Sequence, residues 1–170
     1  MRNGNSRWIV RALCALVLGV PFAALASDHV SAEVQVTATV VPNCRLVIDP
    51  LVFGSYDPLS AHVSSALDGL SQMTVTCTRE TQATIVMDGG RNAGQDAVVR
   101  ILQSSGQNLS YQLFRDSART QVWGRGSDAY AFVSTGGIAG QTVTVYARIP
   151  PGQEVPAGTY TDVITASVDF

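Results

Sequence analysis

The residues from Val30 to Val40 alternate strictly between small apolar and polar side chains. A period of two is typical of a β-strand that buries one face. The apolar positions are Val30, Ala32, Val34, Val36, Ala38 and Val40. No hairpin partner follows directly, so this strand either forms an edge of its own sheet or is meant for another subunit.

The first 26 residues are predicted to be a cleaved secretory signal. Three arginines (Arg2, Arg7 and Arg11) precede an apolar core at residues 12–25, and residues 24–26 fit the small-x-small cleavage pattern. A membrane anchor is the alternative, but it would need roughly twenty apolar residues. We therefore expect an exported protein that lacks residues 1–26.

The cysteines predict one disulfide bond. Removal of the signal also removes Cys14 and leaves Cys44 and Cys77. Two cysteines in an exported protein are expected to pair, because the compartment is oxidising. In the chain-entropy model, closing a loop of about 33 residues contributes roughly 3–4 kcal/mol to stability.

Charge and motif content argue against several classes of function. The sequence has no lysine and a formal net charge of −2, which does not favour nucleic acid or an anionic membrane as a partner. Its two histidines, His29 and His62, are not spaced with other ligands as a metal site requires. There is no G-x-S-x-G motif, phosphate-binding loop or Ser-His-Asp set. We expect no enzyme activity, no cofactor and no metal.

The rest of the sequence predicts an all-β sandwich, because short alternating runs are separated by turn residues at intervals of roughly ten. The clearest runs are residues 70–78, 83–87, 98–102, 109–113, 143–149 and 160–170. A long loop with a ragged hairpin is expected from Ser117 to Gly140. Trp123 is the one aromatic residue in a loop-like setting, so it is the candidate for a ligand or partner contact.

The last run places four apolar residues on one side of a predicted final strand. These residues are Ile164, Ala166, Val168 and Phe170. The combination of a final strand that faces the core and a spare strand at the front predicts an incomplete sandwich.

The order of the motifs resembles the spore coat protein U domain family. The motifs are Cys44, FGSYDP at 53–58, TVTCT at 74–78, DGG at 88–90, LSYQLFRD at 109–116, Ile149-Pro150 and GTYTD at 158–162. The family includes the subunits of archaic (Csu-type) chaperone–usher pili. The resemblance covers essentially the whole chain after the predicted signal.

The resemblance implies an immunoglobulin-like sandwich that lacks its final strand, so that a hydrophobic groove lies open beside the last strand. A periplasmic chaperone fills the groove first. At the outer-membrane usher, the N-terminal extension of the next subunit replaces the chaperone. On this chain, residues 27–43 would be the donor-strand extension and residues 44–170 the sandwich domain, whose first two strands the disulfide would join.

The implied site residues follow from that arrangement. The six apolar residues from Val30 to Val40 would be the plugs of the donor strand. The groove would be flanked by the strand after Cys44 and by the final strand with Ile164, Ala166, Val168 and Phe170.

These expectations make the chain a structural subunit of an extracellular pilus that supports adhesion and biofilm formation. It would pass through the periplasm to the cell surface, with identical or related subunits, the chaperone and the usher as partners. One alternative is a secreted spore-coat or surface-matrix protein of the same family. A second alternative is a monomeric exported sandwich that binds carbohydrate near Trp123.

Overall fold

In the computed structural model of the protein, residues 28–170 are described. The predicted signal at residues 1–26 lies outside the described residues. The chain divides into two parts between Ala38 and Thr39, and each is described by itself. Residues 28–38 contain no assigned helix or strand, and all their side chains are exposed.

Eight β-strands make up nearly all the regular structure from residue 39 onward. They are β1 (Cys44–Ile48), β2 (Leu67–Cys77), β3 (Gln82–Met87), β4 (Val99–Ser104), β5 (Gln107–Phe114), β6 (Tyr130–Val133), β7 (Gln141–Ile149) and β8 (Ala166–Asp169). The helical elements are the short helix α1 (Gly90–Ala93) and a 3-10 turn (Gly126–Asp128). The predicted all-β class is confirmed.

The strands form two antiparallel sheets. The larger sheet has the order β1-β2-β7-β5-β4, and the smaller has the order β6-β3-β8. One hydrophobic core unites them, because Met73 and Leu113 of the larger sheet pack in the same buried cluster as Ile85 and Met87 of the smaller sheet. The arrangement is a β-sandwich, as the sequence predicts.

The strand β2 shows why the alternating pattern is informative. Every second residue from Gly69 to Cys77 is buried, while the residues between them are exposed or half-buried. The strand pairs with β7 from Leu67↔Ile149 to Val75↔Gln141. On the core face, Gly69, Ser71 and Met73 lie opposite the apolar residues Ala147, Val145 and Val143.

The predicted disulfide joins Cys44 and Cys77. These two residues are direct partners in the register of β1 and β2. The bond therefore links the first residue of β1 to the last residue of β2, at one end of the strand pair.

The final strand is shorter than the predicted run from Tyr160 to Phe170. Thr161 exchanges backbone hydrogen bonds with Gln103 of β4, in the larger sheet. Strand β8 begins only at Ala166 and pairs with β3, in the smaller sheet. The chain changes sheets between these positions, which interrupts regular strand structure.

Within residues 28–170, no helix is long and apolar enough to cross a membrane.

Replacing both cysteines (Cys44→Ser with Cys77→Ser) should lower the free energy of unfolding by about 3–4 kcal/mol, because the unfolded chain regains the entropy of the closed loop. Denaturant titration of the exported protein measures this change. Reduced wild-type protein is the matched control and should behave like the double variant. Equal unfolding midpoints for the oxidised wild type and the variant would contradict the prediction.

Candidate functional site

Two strands, one from each sheet, leave backbone edges open on the same side of the sandwich. Strand β1 pairs with β2 alone and β8 with β3 alone within residues 39–170. The two strands nevertheless lie next to each other, with Cα atoms within 8 Å. Neither has a fully buried residue. The N–H and C=O groups along these edges are free to pair with an added strand.

A groove of about 860 Å³ lies between the segments that continue these strands along the chain. One wall is formed by residues 51–59, which follow β1, and the other by residues 155–161, which precede β8. Its floor contains Leu102, Leu109 and Ile149, all from the larger sheet. Asp57 is the single charged side chain in the lining. The groove is suited to apolar side chains.

The first wall carries three half-buried apolar residues, Leu51, Phe53 and Tyr56, which pack against the core. The Phe53 ring meets the Tyr111 ring edge-on, with centroids 5.8 Å apart. Phe53 also needs the absence of a side chain at Gly69, where a Cβ atom would lie 2.9 Å from Phe53 Cδ1. This close approach holds the wall against β2.

Hydrogen bonds of Tyr56 and Gln153 link the first wall to the segment after β7 and to β5. The Tyr56 hydroxyl donates to Pro150 O at 3.1 Å and accepts from the Gln153 N–H at 3.0 Å. The Gln153 side chain accepts from the Ser110 N–H at 2.7 Å and donates to Ser110 O at 3.0 Å. The first wall is thus tied to β5 through a second loop.

His62 supports the same wall from outside the groove. Its Nδ1 accepts a hydrogen bond from the Asp57 N–H at 2.9 Å, and its own N–H donates to Asp57 O at 2.9 Å. The imidazole stacks on Tyr56, with ring centroids 4.9 Å apart. Because Nδ1 acts as an acceptor, this contact requires the neutral ring with its proton on Nε2.

The four residues expected in the acceptor groove occupy one segment after the second wall. Ile164, Ala166 and Val168 are half-buried and pack against the core, whereas Phe170 is 58% exposed. None of them lines the 860 Å³ groove. The motifs FGSYDP (53–58) and GTYTD (158–162) overlap the two groove walls. The sequence did not predict that these segments line a groove, because they contain Pro and Gly and do not alternate regularly.

The apolar residues expected in the donor strand are exposed. In residues 28–38, Val30, Val34 and Val36 are 92%, 83% and 86% exposed, and Ala32 and Ala38 are also exposed. In the second part, Val40 is 81% exposed. These side chains retain almost all the apolar surface that binding could bury.

The base of this segment is fixed to the end of β2. The Asn43 N–H donates to Thr78 Oγ1 at 3.0 Å, and the Thr78 N–H donates to Asn43 O at 2.9 Å. Together with the neighbouring disulfide, these bonds hold Asn43 at the end of β2.

The prediction of Trp123 as a ligand or partner contact in a loop-like setting is wrong. Its side chain is 0% exposed, and its indole N–H donates to Ile85 O at 3.1 Å. Its backbone N–H donates to Leu113 O at 2.8 Å, which places it between the two sheets. A residue buried in this way cannot contact a sugar, so the structure removes the candidate that supported a carbohydrate site.

The part of the chain that the structure describes contains no group of three or more His, Cys, Asp or Glu residues that could hold a metal ion.

Comparisons with known proteins agree with this geometry. The sequence model of the Spore Coat Protein U domain matches residues 30–167. Protein U from Myxococcus xanthus is 34% identical over 129 residues, which cover 71% of each chain.

A solved structure shows the same fold. It is the crystal structure of the CsuC-CsuE chaperone–tip adhesion subunit pre-assembly complex from archaic chaperone-usher Csu pili of Acinetobacter baumannii. One of its chains matches with a TM-score of 0.57 and 23% identity, over 78% of this chain. The match spans 41% of that chain, less than half its length. With the two open edges, this likeness confirms the predicted incomplete immunoglobulin-like sandwich.

Replacing His62 with alanine should loosen the first wall, because the Asp57 N–H loses its acceptor and Tyr56 loses its stacked ring. We expect a loss of about 1–2 kcal/mol in the free energy of unfolding. Hydrogen exchange should become faster at residues 57–60. Denaturant titration and exchange mass spectrometry measure the two effects.

The exposed His29 provides the matched control, since His29→Ala should change neither quantity. His62→Asn should behave between the two, because its side-chain oxygen can accept from the Asp57 N–H. If His62→Ala leaves the exchange of residues 57–60 unchanged, the support assigned to His62 is incorrect.

Proposed function

The chain belongs to the Spore Coat Protein U domain family, and on that premise we propose that it is a structural subunit that polymerises by donor-strand complementation in an extracellular pilus. Residues 27–43 of one copy would fill the open groove of the next copy, within the sandwich domain of residues 44–170. One observation carries the proposal. The protein has two adjacent open strand edges and also an exposed, alternating apolar segment of the kind that could pair with them.

Addition of a donor strand would pair the open strand edges and bury the exposed apolar segment. The backbone of the donor would pair with the free edges of β1 and β8, which are unpaired within residues 39–170. Pairing on both sides needs edges roughly 9.5 Å apart, so β1 would move outward from β8 where their Cα atoms lie within 8 Å. Some of the alternate side chains would enter the 860 Å³ groove. Others would pack along β8, against Ile164, Ala166, Val168 and Phe170, which lie outside that groove. Burial of four to six Val or Ala side chains contributes roughly 5–10 kcal/mol from area alone. The cost of ordering the segment reduces this gain.

The contact would be head-to-tail, because the donor and acceptor surfaces are different parts of the same chain. Such contacts extend into filaments when the rotation between copies does not close a ring. Main-chain pairing along two edges gives a high barrier to release, so the link would be kinetically stable. A fibre outside the cell requires this property, because no energy source is available there to rebuild it.

The proposed partners follow from the same groove. Before assembly, the open edges would need protection from non-specific pairing, and a periplasmic chaperone would provide it. The solved complex with the same fold is itself a chaperone–subunit complex. An outer-membrane usher would exchange the chaperone for the next donor strand and deliver the polymer to the cell surface, where it would support adhesion and biofilm formation. This role is structural rather than enzymatic.

A second candidate is a subunit of a spore coat or surface matrix. The higher identity to Protein U, 34% against 23% for the pilus structure, favours it. Both candidates use the same strand exchange and differ in where the polymer accumulates. Immunogold labelling distinguishes them, since a pilus subunit labels fibres that shear releases from the cells and a coat subunit labels the surface that remains.

A charge in the donor strand should abolish polymerisation. Val34→Asp would place a carboxylate in an apolar groove when the donor strand binds, which costs desolvation free energy. The free monomer does not bear this cost, because residue 34 is exposed to solvent there. Electrophoresis in SDS without boiling should show a ladder of multimers for the wild type and a single monomer band for the variant. Gln35→Asp is the matched control, because its side chain faces away from the groove, and it should keep the ladder. Loss of the ladder in both variants would argue against a one-sided donor strand.

A charge on the acceptor strand β8 should also abolish polymerisation. Val168→Asp should abolish the ladder, whereas Ser167→Asp, on the exposed face of β8, should preserve it. A mixture of Val34→Asp and Val168→Asp proteins should form dimers and nothing larger, because each copy retains one functional half. Longer multimers in the mixture would contradict head-to-tail donation.

A further inference from the structure

The segment that joins the second groove wall to β8 is held by the side chain of Asp162. The carboxylate accepts hydrogen bonds from three backbone N–H groups: Val163 at 2.8 Å, Arg91 at 3.1 Å and Asn92 at 3.4 Å. It also accepts from the Tyr111 hydroxyl at 2.8 Å. Four donors from three parts of the chain therefore converge on one side chain.

The turn after β3 is shaped to receive this carboxylate. Gly90 has φ of +83°, a conformation that favours glycine, and a Cβ atom there would overlap Asp162 Oδ2. The neighbouring Asp88 carboxylate accepts from the Gly90 N–H at 3.0 Å and from the Thr165 N–H at 2.9 Å. The corner of residues 162–165 is thus bound to this turn at both ends.

A buried arginine holds the turn from beneath. Arg100 is 0% exposed, and its guanidinium donates to Asp88 O and to Trp123 O, each at 2.8 Å. Burial lowers the pKa of Arg100, and the negative charges of Asp88 and Asp162 oppose that shift. Burial and the hydrogen bond to Asp162 raise the pKa of Tyr111, so its hydroxyl remains a proton donor. Buried side chains therefore hold both the turn and Asp162 by hydrogen bonds.

We propose that Asp162 is a positioning residue for strand uptake, which fixes the corner between the groove wall and β8 so that the acceptor edge is in place before a donor arrives. The inference rests on the proposed donor-strand function and adds a role for residues outside the groove. β8 has one strand neighbour and no fully buried residue, so its own contacts are weak. Bonds at the corner compensate for that weakness. A pre-organised edge binds without a further ordering cost.

The test uses the full chain with Val34→Asp, which cannot donate and keeps its groove open. A fluorescent peptide of residues 28–41 serves as the donor, and stopped-flow anisotropy measures its association and dissociation rates. Adding Asp162→Ala should slow association about tenfold and change dissociation less than about twofold, because the bound peptide itself holds β8. Hydrogen exchange at residues 163–169 should be faster in the free variant and should return to the parent rate when peptide is bound.

Asp96→Ala is the control, since Asp96 is exposed and forms only a surface ion pair with Arg125. Tyr111→Phe covers the case in which Asp162→Ala does not fold. It keeps the ring in the core, removes one of the four bonds to Asp162, and should slow association about twofold to threefold.

The outcomes separate the two proposals. If the parent protein fails to bind the peptide, both the donor-strand function and the positioning role are overturned. If the parent binds and the Asp162 and Tyr111 variants bind at the same rate, only the positioning role is overturned. Faster dissociation with unchanged association also overturns it, because the corner would then stabilise the complex rather than prepare the edge.

Discussion

Both the fold of this protein and its proposed assembly depend on the requirement that backbone N–H and C=O groups be paired. A sandwich of two small sheets has four edge strands, and each edge carries unpaired groups. Here the edge at β4 is partly covered by Thr161 and by the Asn92 side chain, which donates to Ile101 O. The edges of β1, β6 and β8 have no such cover within residues 39–170. Of these strands, β1 and β8 lie next to each other. The uncovered edges explain why the groove, its apolar floor and the exposed extension together suit the addition of a further strand.

The alternating pattern predicted the parts of the fold in which every second side chain enters one core. Strands β2, β3, β5 and β7 are of this kind, and the cysteine count predicted the disulfide that joins β1 and β2. The groove walls and the corner at Asp162 were not predictable in this way. They depend on single side chains that bond to distant backbone groups, such as Asp162 to Arg91 and Tyr56 to Pro150, and such contacts leave no periodic signal.

Trp123 shows that local composition can wrongly indicate an exposed position for a buried residue. Its neighbours in sequence are polar and glycine-rich, so local composition indicates an exposed loop. Its environment is set instead by Ile85 and Leu113, which are remote in sequence and bind its two N–H groups. The Trp123 carbonyl accepts a hydrogen bond from Arg100. Trp123 therefore connects the core to the turn that supports the acceptor edge.

The position of the disulfide has a mechanical consequence. Cys44 and Cys77 form the first pair of the β1–β2 ladder, and residues 27–43 precede Cys44 directly along the chain. A tensile load on residues before Cys44 would otherwise peel β1 from β2 one hydrogen bond at a time, beginning at that pair. With the covalent bond in place, the load passes directly into β2, which lies between β1 and β7. Hydrogen bonds along the full length of β2 then share the load in shear instead of yielding in sequence.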